Sequence, residues 1–539
     1  MAKPKTPNQK RKYGELNKRL AKYVMLVESI YEDLNLEAAK IVGITDFTID
    51  SDRPFMWSDY PQTRKRIRDL QERFVEDIGA VIYSGTSEEW KNSNEVQDLL
   101  ANKVLQTYGA TIGKEKYEIL YQPNNDALKA FQQRKDKGFT ISDKLWNQST
   151  LYKQELEEAI SCAIQKGTSA ITLSKQISKY LLDFPQLQKD YKERFGKASR
   201  AMDCEYRSIR LAASEINMAY RQAENLRWQQ MDFVVGYEIK LSNNHTCNGK
   251  PFQDICDILA GKYPKDFQWT SWHPLCRCYK IPILKTEEEF WEWDGRNEAT
   301  TASVNEVKDV PDAFKKWVLD NQERISTAKK RNTLPYFLRD NKSVYQKITV
   351  ESSISEIVKR ASSVGDEVQS IAERIAIKNG GYVTPINFKS TTSITRKVIT
   401  EGITPYDIKD AVRTTIIVPK SRIEDVLEEL YKTEGFLRLK RQKPESFMGY
   451  SGNIVNIRAT NGLTAEIQVN TERMIFAKER PEDAKRILGK KRWEEIHNET
   501  GMEGGLGHKY YEQWRILDKS SNEALKIVEK SIEYYSHFR

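Results

Sequence analysis

Apolar side chains recur every three or four residues through most of the first half of the chain. Over 12–37 and 60–80 they alternate with Lys, Arg and Glu, which predicts amphipathic helices that pack in a bundle. The stretch from Tyr191 to Met231 contains no proline and one glycine, Gly196, and it predicts one long helix. The first half of the chain is therefore predicted to be mainly α-helical.

The period changes to two after this helical region. Val235, Tyr237, Ile239 and Leu241 alternate with small or polar residues, which predicts a half-buried strand followed by a loop-rich stretch. In the last third of the chain, predicted helices over 351–378, over 420–434 and after 471 separate short β-rich runs. These runs are 385–388, 411–418, 436–440, 453–459 and 463–470. Strands interleaved with helices indicate a separate α/β or α+β domain.

These changes of pattern divide the chain into four regions. We expect a helical N-terminal assembly region over 1–129, a domain over 130–295, a connector over 296–345 and a C-terminal domain over 346–539. A length of 539 residues with 39% hydrophobic content is sufficient for a core in each domain. The predicted fold class is multi-domain, with a mainly α first half and a C-terminal α+β domain.

Charge and composition exclude several classes of protein. The chain has 86 Lys and Arg against 77 Asp and Glu, and a net charge of +9 is too small for a nucleic-acid packaging tail. No apolar run approaches the roughly 18 residues that a membrane helix needs, and the basic start has no apolar signal segment. We expect a chain without a membrane segment that stays in a cytoplasm unless other machinery exports it.

Soft metal ligands are concentrated between His245 and Cys278. Zinc prefers thiolates and imidazoles, and a loop-rich segment gains folding energy from such a site. The single residue between Cys276 and Cys278 is a shorter gap than common zinc knuckles have, so ordinary reduced cysteines beside a His273-Pro274 turn remain the alternative. The predicted Zn²⁺ ligands are Cys247, Cys256, His273, Cys276 and Cys278.

The same segment carries a family resemblance. The string His273-Pro-Leu-Cys-Arg-Cys278 resembles the Mu-type minor head proteins of tailed phages, the head morphogenesis family, over roughly 130–295. Further residues of this resemblance are Gly261-Lys-Tyr-Pro264 and, on the predicted long helix, Arg210, Glu215, Asn217 and Tyr220. The resemblance implies a virion protein near the portal, with portal and capsid proteins as partners. Members of this family are often fused to variable C-terminal effector domains.

Two strings early in the C-terminal domain suit phosphate and metal binding. The first runs from Lys389 through Ser393 to Arg396 and Lys397, and it brings cations and hydroxyls to the start of a short helix. A solvated basic face explains this string about as well. The second begins at Asp410, an acid at the start of an apolar strand that suits Mg²⁺, or alternatively a strand cap. Arg413 follows it on the strand.

Two later strings suit base stacking and proton transfer. Cations up to Lys443 precede Gly449-Tyr450, where an aromatic ring beside a glycine provides a platform for a base. Asn461-Gly462 marks a hairpin, and Glu466 and Gln468 lie on the polar face of its second strand. We expect Arg458 directly across from Glu466, which gives either a cross-strand ion pair or a carboxylate that binds metal or accepts a proton.

Taken in order, these strings resemble the synthetase domain of the RelA/SpoT family, alarmone synthetases with a nucleotidyltransferase-like fold, over about 351–517. The resemblance implies a pyrophosphokinase that transfers a pyrophosphoryl group from ATP. Its implied ATP-phosphate ligands are Lys389, Ser393, Arg396 and Lys397, with Asp410 and Glu466 as Mg²⁺ ligands. By the same resemblance Glu466 activates the acceptor hydroxyl, with Arg413, Lys443 and Gln468 in the site, and Tyr450 stacks on the acceptor base.

Two positions depart from the family pattern. Family members follow Gly-Tyr with Arg-Ser-Ile-His, whereas Ser-Gly-Asn-Ile follows Tyr450, and Asp410 lies closer to Arg413 than in the housekeeping enzymes. The run from His508 to Arg515 is similar to toxin-like branches of the family. The acceptor therefore stays open among GDP or GTP, an adenine nucleotide and the tRNA 3′ end.

Three functions thus fit the sequence. The first is a phage minor head protein fused to a pyrophosphokinase effector or toxin that acts in the host cytoplasm. The second is a structural, portal-proximal head protein whose C-terminal domain is inactive. The third is a nuclease or a nucleic-acid binder, because the net charge of +9 and the cations over 438–443 are suited to contacts with phosphate backbones.

Overall fold

The computed structural model describes residues 6–45, 53–163, 169–242, 246–247, 250–291, 303–444 and 447–539. The chain forms two compact units, Met1–Tyr345 and Gln346–Arg539. Among the described residues, no helix combines the length and the apolar character needed to cross a membrane.

The N-terminal unit is built mainly of helices. The predicted helices over 12–37 and 60–80 lie within α1 and α2, and α1, α2, α5 and α6 bury a shared core. The bounds are α1 Gln9–Val42, α2 Arg64–Tyr108, α3 Lys114–Leu120, α4 Asn125–Gln133, α5 Ile141–Ala163, α6 Ala170–Leu182, α7 Phe184–Phe195, α8 Cys204–Gln230, α9 Ile255–Leu259, α10 Glu287–Trp291, α11 Asp312–Asp320, α12 Gln322–Lys330 and α13 Tyr336–Arg339.

The prediction of one helix from Tyr191 to Met231 is wrong in its first part. Helix α7 ends at Gly196, whose φ of 62° is left-handed and stops the helix. Helix α8 starts anew at Cys204, where the side chain of Asp203 accepts a hydrogen bond from the backbone amide of Tyr206. A glycine in the left-handed region and an Asp cap therefore divide the segment.

A small antiparallel sheet follows α8, in the order β4-β1-β5, and a two-stranded ribbon, β2-β3, lies apart from it. The strands are β1 Val234–Lys240, β2 Thr246–Cys247, β3 Lys250–Pro251, β4 Gly261–Tyr263 and β5 Tyr279–Leu284. Strand β1 matches the predicted alternation. The later segment packs beside this sheet, since the ring of Phe314 lies 5.9 Å from Tyr263 and 5.3 Å from Phe267.

The C-terminal unit contains a mixed sheet in the order β6-β8-β11-β10-β9, with β7 also pairing with β8. Only β8 and β11 are parallel; the other pairs are antiparallel. The strands are β6 Tyr382–Val383, β7 Asn387–Phe388, β8 Val412–Ile417, β9 Phe436–Arg441, β10 Asn453–Arg458 and β11 Thr464–Asn470. The helices are α14 Lys342–Ser363, α15 Gly365–Lys378, α16 Thr391–Glu401, α17 Ile423–Tyr431, α18 Glu472–Lys478, α19 Pro481–Leu488, α20 Lys490–Thr500, α21 Leu506–Arg515 and α22 Asn522–Ser536.

One face of this sheet forms the core of the unit. Val455, Ile457, Ala465, Ile467 and Val469 are fully buried on it, together with apolar side chains of α14, α15 and α17. Since side chains alternate along a strand, the residues between them lie on the opposite face. That opposite face carries the polar residues of the unit's candidate site.

The predicted register of the β10–β11 hairpin is wrong by two residues. Arg458 lies opposite Thr464, and the residue opposite Glu466 is Asn456. The hairpin closes at Ala459 and Leu463 with a three-residue loop, because Gly462 takes a φ of 79° and its amide donates to the Ala459 carbonyl. A cross-strand pair between Arg458 and Glu466 is therefore excluded.

Candidate functional site

Five polar residues lie side by side across the open face of the C-terminal sheet. Asn387 of β7 is opposite Arg413 of β8, which is opposite Glu466 of β11. Asn456 of β10 lies beyond Glu466, and Arg438 of β9 lies beyond Asn456. We call these five residues the polar row. It places two of the predicted site residues, Arg413 and Glu466, next to each other on neighbouring strands.

The second group, which we call the acid–lysine cluster, consists of Asp410, Lys389 and Lys397. Lys389 Nζ lies 2.6 Å from Asp410 Oδ2, and Lys397 Nζ lies 3.1 Å from Oδ1. Lys389 follows β7 and Lys397 is on α16, so the strand and the helix together enclose the carboxylate. Burial raises the pKa of Asp410, but the two ammonium groups outweigh burial and hold that pKa below its ordinary value. Asp410 is therefore an anion between two cations.

Glu466 is buried, with a residue exposure of 9%, and it is part of a hydrogen-bond chain. The Gln468 side-chain amide donates to Glu466 Oε1 over 2.7 Å, and Lys478 Nζ donates to Gln468 Oε1 over 2.8 Å. Among the described residues, no hydrogen bond reaches Glu466 Oε2. These hydrogen bonds fix the orientation of the Glu466 carboxylate and leave its Oε2 available to a ligand.

Asn456 joins the two parts of the site, although sequence reasoning did not select it. Its side-chain amide donates to the backbone carbonyl of Lys409, next to Asp410, over 3.3 Å. Its Oδ1 accepts from Arg438 Nε over 2.7 Å. Asn456 therefore fixes the start of β8 relative to β10, beside Glu466.

Helix α16 starts with hydroxyl groups. The Ser390 side chain caps the helix by accepting from the Ser393 backbone amide over 3.2 Å, and the two hydroxyls lie 2.9 Å apart. Arg396 is exposed on the same helix, whereas Lys397 points to Asp410. The predicted string thus contributes its serine to the helix N-terminus and two of its cations, Lys389 and Lys397, to the acid–lysine cluster.

The Tyr450 side chain, predicted as an open stacking platform, is held in place by contacts with neighbouring residues. Its hydroxyl and the Asn470 amide nitrogen lie 2.8 Å apart, and its ring lies 5.7 Å from that of Tyr535. A Cβ on Gly452 would come 2.2 Å from the Tyr450 hydroxyl oxygen, so only glycine fits there. Lys478 Nζ lies 5.5 Å from the ring centroid, and it connects this ring to the Glu466 hydrogen-bond chain.

Two further residues of the site were not predicted, Lys478 and Glu479. Their side chains form an ion pair of 3.1 Å, and burial raises the pKa of Glu479 while the charges of Lys478 and Arg413 lower it to below its ordinary value. No local motif marks these positions, because their contacts with Gln468 and Arg413 join the end of α18 to strands β11 and β8. Lys443, a predicted site residue, is exposed beyond the end of β9.

The predicted metal ligands of the N-terminal unit also lie together. The sulfur atoms of Cys256, Cys276 and Cys278, which we call the thiol triad, are all buried and within 4.8 Å of one another. His273 Nε2 lies 3.1 Å from Cys256 Sγ. The side chain of Cys247 lies outside the described residues.

The donor set of the C-terminal site fits Mg²⁺. Asp410 and Glu466 offer carboxylate oxygens, the donors that this hard cation prefers, and Asp410 already attracts two ammonium groups. Carboxylates near cations, together with the buried and oriented Glu466, are suited to phosphoryl-type transfer.

Part of the chain is similar to a known toxin. The (p)ppApp synthetase toxin Tas1 of Pseudomonas aeruginosa (strain UCBPP-PA14) is 35% identical over 181 residues, which is 33% of this chain and 41% of Tas1. The chain thus spans about two fifths of the length of that relative. No family model matches the chain. This similarity supports the synthetase domain that the motif residues of the C-terminal unit predict.

Two solved structures are similar to about a third of the chain. The crystal structure of the complex between the type VI effector Tas1 and its immunity protein is 35% identical and covers 35% of this chain and 97% of that one, with a TM-score of 0.33. The crystal structure of the small alarmone synthetase 1 from Bacillus subtilis is 17% identical, with coverages of 34% and 91% and a TM-score of 0.22.

Proposed function

We propose that the C-terminal unit, a RelA/SpoT-like synthetase domain, is a pyrophosphokinase that transfers a pyrophosphoryl group from ATP to a ribose hydroxyl of an acceptor. The observation that carries this proposal is the arrangement of two acids among cations: Asp410 between Lys389 and Lys397, and Glu466 beside Arg413. Similarity to a (p)ppApp synthetase toxin supports it.

In the proposed reaction, the acceptor oxygen attacks the β-phosphorus of ATP. The new oxygen–phosphorus bond forms as the bond to the α-phosphate oxygen breaks, and AMP leaves. Glu466 takes the proton of the attacking hydroxyl, since Gln468 holds its carboxylate in place. Lys389, Lys397 and Arg413 neutralise the phosphate charge as it redistributes, and the first turn of α16 with Ser393 binds a phosphate oxygen.

Asp410 and Glu466 are the residues that would hold Mg²⁺, which when bound neutralises phosphate charge and orients the triphosphate. The remaining residues of the site orient the substrates. In this proposal the exposed Arg396 and Lys443 bind the outer phosphates, and Tyr450 contacts the acceptor base.

We propose an adenine nucleotide as the acceptor. Support comes from Tas1, whose name describes a (p)ppApp synthetase, and from the departure of the sequence after Tyr450 from the Arg-Ser-Ile-His of family members. Consumption of ATP as both donor and acceptor would deplete the host, so the domain would act as a toxin in a host cytoplasm. Tas1 is known in complex with an immunity protein, and we expect a comparable inhibitor here.

For the N-terminal unit we propose assembly into a phage head near the portal. The support for this proposal is the resemblance of its motif residues to head morphogenesis proteins; two of these residues are in contact, since Asn217 of α8 donates to the Cys276 carbonyl over 2.9 Å. Proteomic analysis of purified particles from a strain that carries the gene tests this location. Absence of the chain from such particles would contradict it.

The activity is tested with the full chain made by cell-free synthesis, which avoids toxicity. The chain is incubated with Mg²⁺ and γ-labelled ATP, and GDP, GTP, ADP, ATP and bulk tRNA are offered in parallel. We expect labelled (p)ppApp-type products from adenine nucleotides and none from the Glu466→Gln variant. Glu424→Gln, in an exposed ion pair of the same unit, is the matched control.

Label in GDP, GTP or tRNA would support the proposed pyrophosphokinase activity and contradict the proposed adenine-nucleotide acceptor. A folded chain that labels no acceptor would support the alternative, a structural head protein whose synthetase-like domain is inactive.

A further inference from the structure

The thiol triad and His273 lie far along the chain from every residue used in the proposed transfer. Three segments meet there: the first turn of α9 with Cys256, the turn at His273, and the residues before β5 with Cys276 and Cys278. Cys256 Sγ lies 3.8 Å from Cys276 Sγ, a separation typical of two thiolates bound to one tetrahedral ion. Three buried thiols from two segments thus lie close enough together to share one ion.

The imidazole of His273 is oriented as a metal ligand. Its Nδ1 lies 2.8 Å from the Pro274 carbonyl, to which it donates. That hydrogen bond places the proton on Nδ1 and leaves the Nε2 lone pair free, directed at Cys256 Sγ over 3.1 Å. Asp254 Oδ2 lies 3.3 Å from Nε2, and the ligand atoms of Asp254, Cys256 and His273 lie within 4.8 Å of one another, so Asp254 is the competing metal ligand at this position.

The surroundings suit the charge of such a site. Three thiolates and a divalent zinc ion leave one excess negative charge, which burial would penalise. Arg221 of α8 is buried and donates to the carbonyls of Cys276 and Cys278 over 2.8 and 2.7 Å. Its guanidinium supplies the compensating positive charge and ties the loop to α8.

We propose that Cys256, His273, Cys276 and Cys278 bind one structural Zn²⁺ ion that fastens α9 to the loop before β5, which Arg221 connects to helix α8. A closed set of three thiolates and one imidazole leaves no coordination position for a substrate, so the ion has a folding role. This inference is independent of the proposed transfer reaction.

The test uses the full chain carrying Glu466→Gln, purified without chelators. We expect about one zinc per chain by elemental analysis, and zinc-edge X-ray absorption that fits about three sulfur atoms near 2.3 Å and one nitrogen near 2.0 Å. Replacement by cobalt should give the intense visible bands of a tetrahedral thiolate site, without any change of ligand residues.

Variants then identify the ligands. Cys256→Ser, Cys278→Ser and His273→Ala should lose most of the zinc, whereas Cys162→Ser, a half-buried cysteine outside the cluster, and Asp254→Asn should retain it. A folded chain without zinc, a disulfide between Cys256 and Cys276, or metal loss in Asp254→Asn or Cys247→Ser would overturn the proposed ligand set.

Discussion

Both units contain charged side chains removed from water, but they use them differently. In the N-terminal unit, Lys280 and Glu224 form an ion pair of 3.2 Å in which both side chains are fully buried. In the C-terminal unit, the acid–lysine cluster keeps 14–27% exposure. Solvent does not reach the buried pair, whereas it reaches the lysines of the cluster, as the proposed exchange of Asp410 for a substrate phosphate requires. The two ion pairs therefore differ first in their exposure.

The buried pair is also more completely surrounded. Tyr13 donates to Glu224 over 2.6 Å, and Lys280 donates to Asn225. Burial lowers the pKa of Lys280 to about 8, although the Glu224 carboxylate opposes that shift. Such a network stabilises one arrangement of α1, α8 and β5, and its loss is expected to affect folding.

The largest expected effect is a loss of turnover without a loss of stability. Glu466→Gln should lower turnover by about 10²- to 10⁴-fold, because it removes a general base, while the free energy of unfolding stays nearly unchanged. Labelled-product assays and urea unfolding measure the two quantities. Wild-type turnover in this variant would show that another group accepts the proton.

A substitution in the buried ion pair of the N-terminal unit should lower stability and leave turnover unchanged. Lys280→Met leaves Glu224 buried without a counter-charge and should destabilise the unit by about 3–5 kcal/mol without a direct effect on transfer. Hydrogen–deuterium exchange of α8 and β5 during urea unfolding measures it, with the exposed Lys262→Met as control. The double variant Glu224→Leu, Lys280→Met should be more stable than Lys280→Met alone; equal or greater loss would contradict a charge-burial origin.

Replacement of both cluster lysines tests the exchange of Asp410 for phosphate. Lys389→Met with Lys397→Met should raise the KM for ATP about tenfold or more, because two charge-assisted contacts are lost. Steady-state kinetics measures KM, and Lys420→Met, on an exposed turn before α17, is the control. An unchanged KM would mean that the two lysines serve only to neutralise Asp410.

The observed hairpin register predicts a smaller effect on turnover, which differs between substitutions of Asn456 and Arg458. Asn456→Ala should lower turnover by up to about tenfold, because its hydrogen bonds to Lys409 and Arg438 are lost beside Glu466. Arg458→Ala should leave turnover unchanged, since Arg458 is exposed opposite Thr464. Steady-state kinetics measures the turnover of both variants. A larger loss of turnover in Arg458→Ala than in Asn456→Ala would favour the register with Arg458 across from Glu466.

The smallest effect is on acid stability. Because the pKa of Asp410 is lowered in the folded state, its contribution to stability is present above the unfolded pKa of about 3.9 and is lost as pH falls through the folded pKa. In the double lysine variant burial acts alone and raises that pKa, so acid unfolding should begin at higher pH. Acid titration followed by circular dichroism measures the shift, and Lys420→Met again serves as control.

Alternation and helical period predicted much of the C-terminal unit. The runs at 411–418, 436–440, 453–459 and 463–470 correspond to β8, β9, β10 and β11. Alternating apolar residues form a buried face on β10 and β11, whereas Phe436 and Leu439 of the edge strand β9 are only half-buried. Alternation could not predict the register of the β10–β11 hairpin, because both pairings of β10 with β11 bury the same face. The choice between them depended on the left-handed Gly462.

The candidate site was predicted where its residues lie on one strand or one short helix. Glu466 and Gln468 follow from alternation along β11, and Lys397 and Ser393 from their helix. Asn456 and Lys478 were missed because their contacts depend on which strands and helices meet in space, which spacing along the chain does not specify.

The loop that carries Tyr450 depends on residues at the far end of the unit. Gly449 has a φ of 78°, and a Cβ there would come 2.6 Å from the Ile532 Cα of α22. Ser531 donates to the Met448 carbonyl over 2.8 Å, and Arg539 donates to the Gly449 carbonyl over 2.8 Å. In genetic terms, premature stop codons and frameshifts within the last helix should be null alleles for transfer, although every acid and lysine of the site would still be translated.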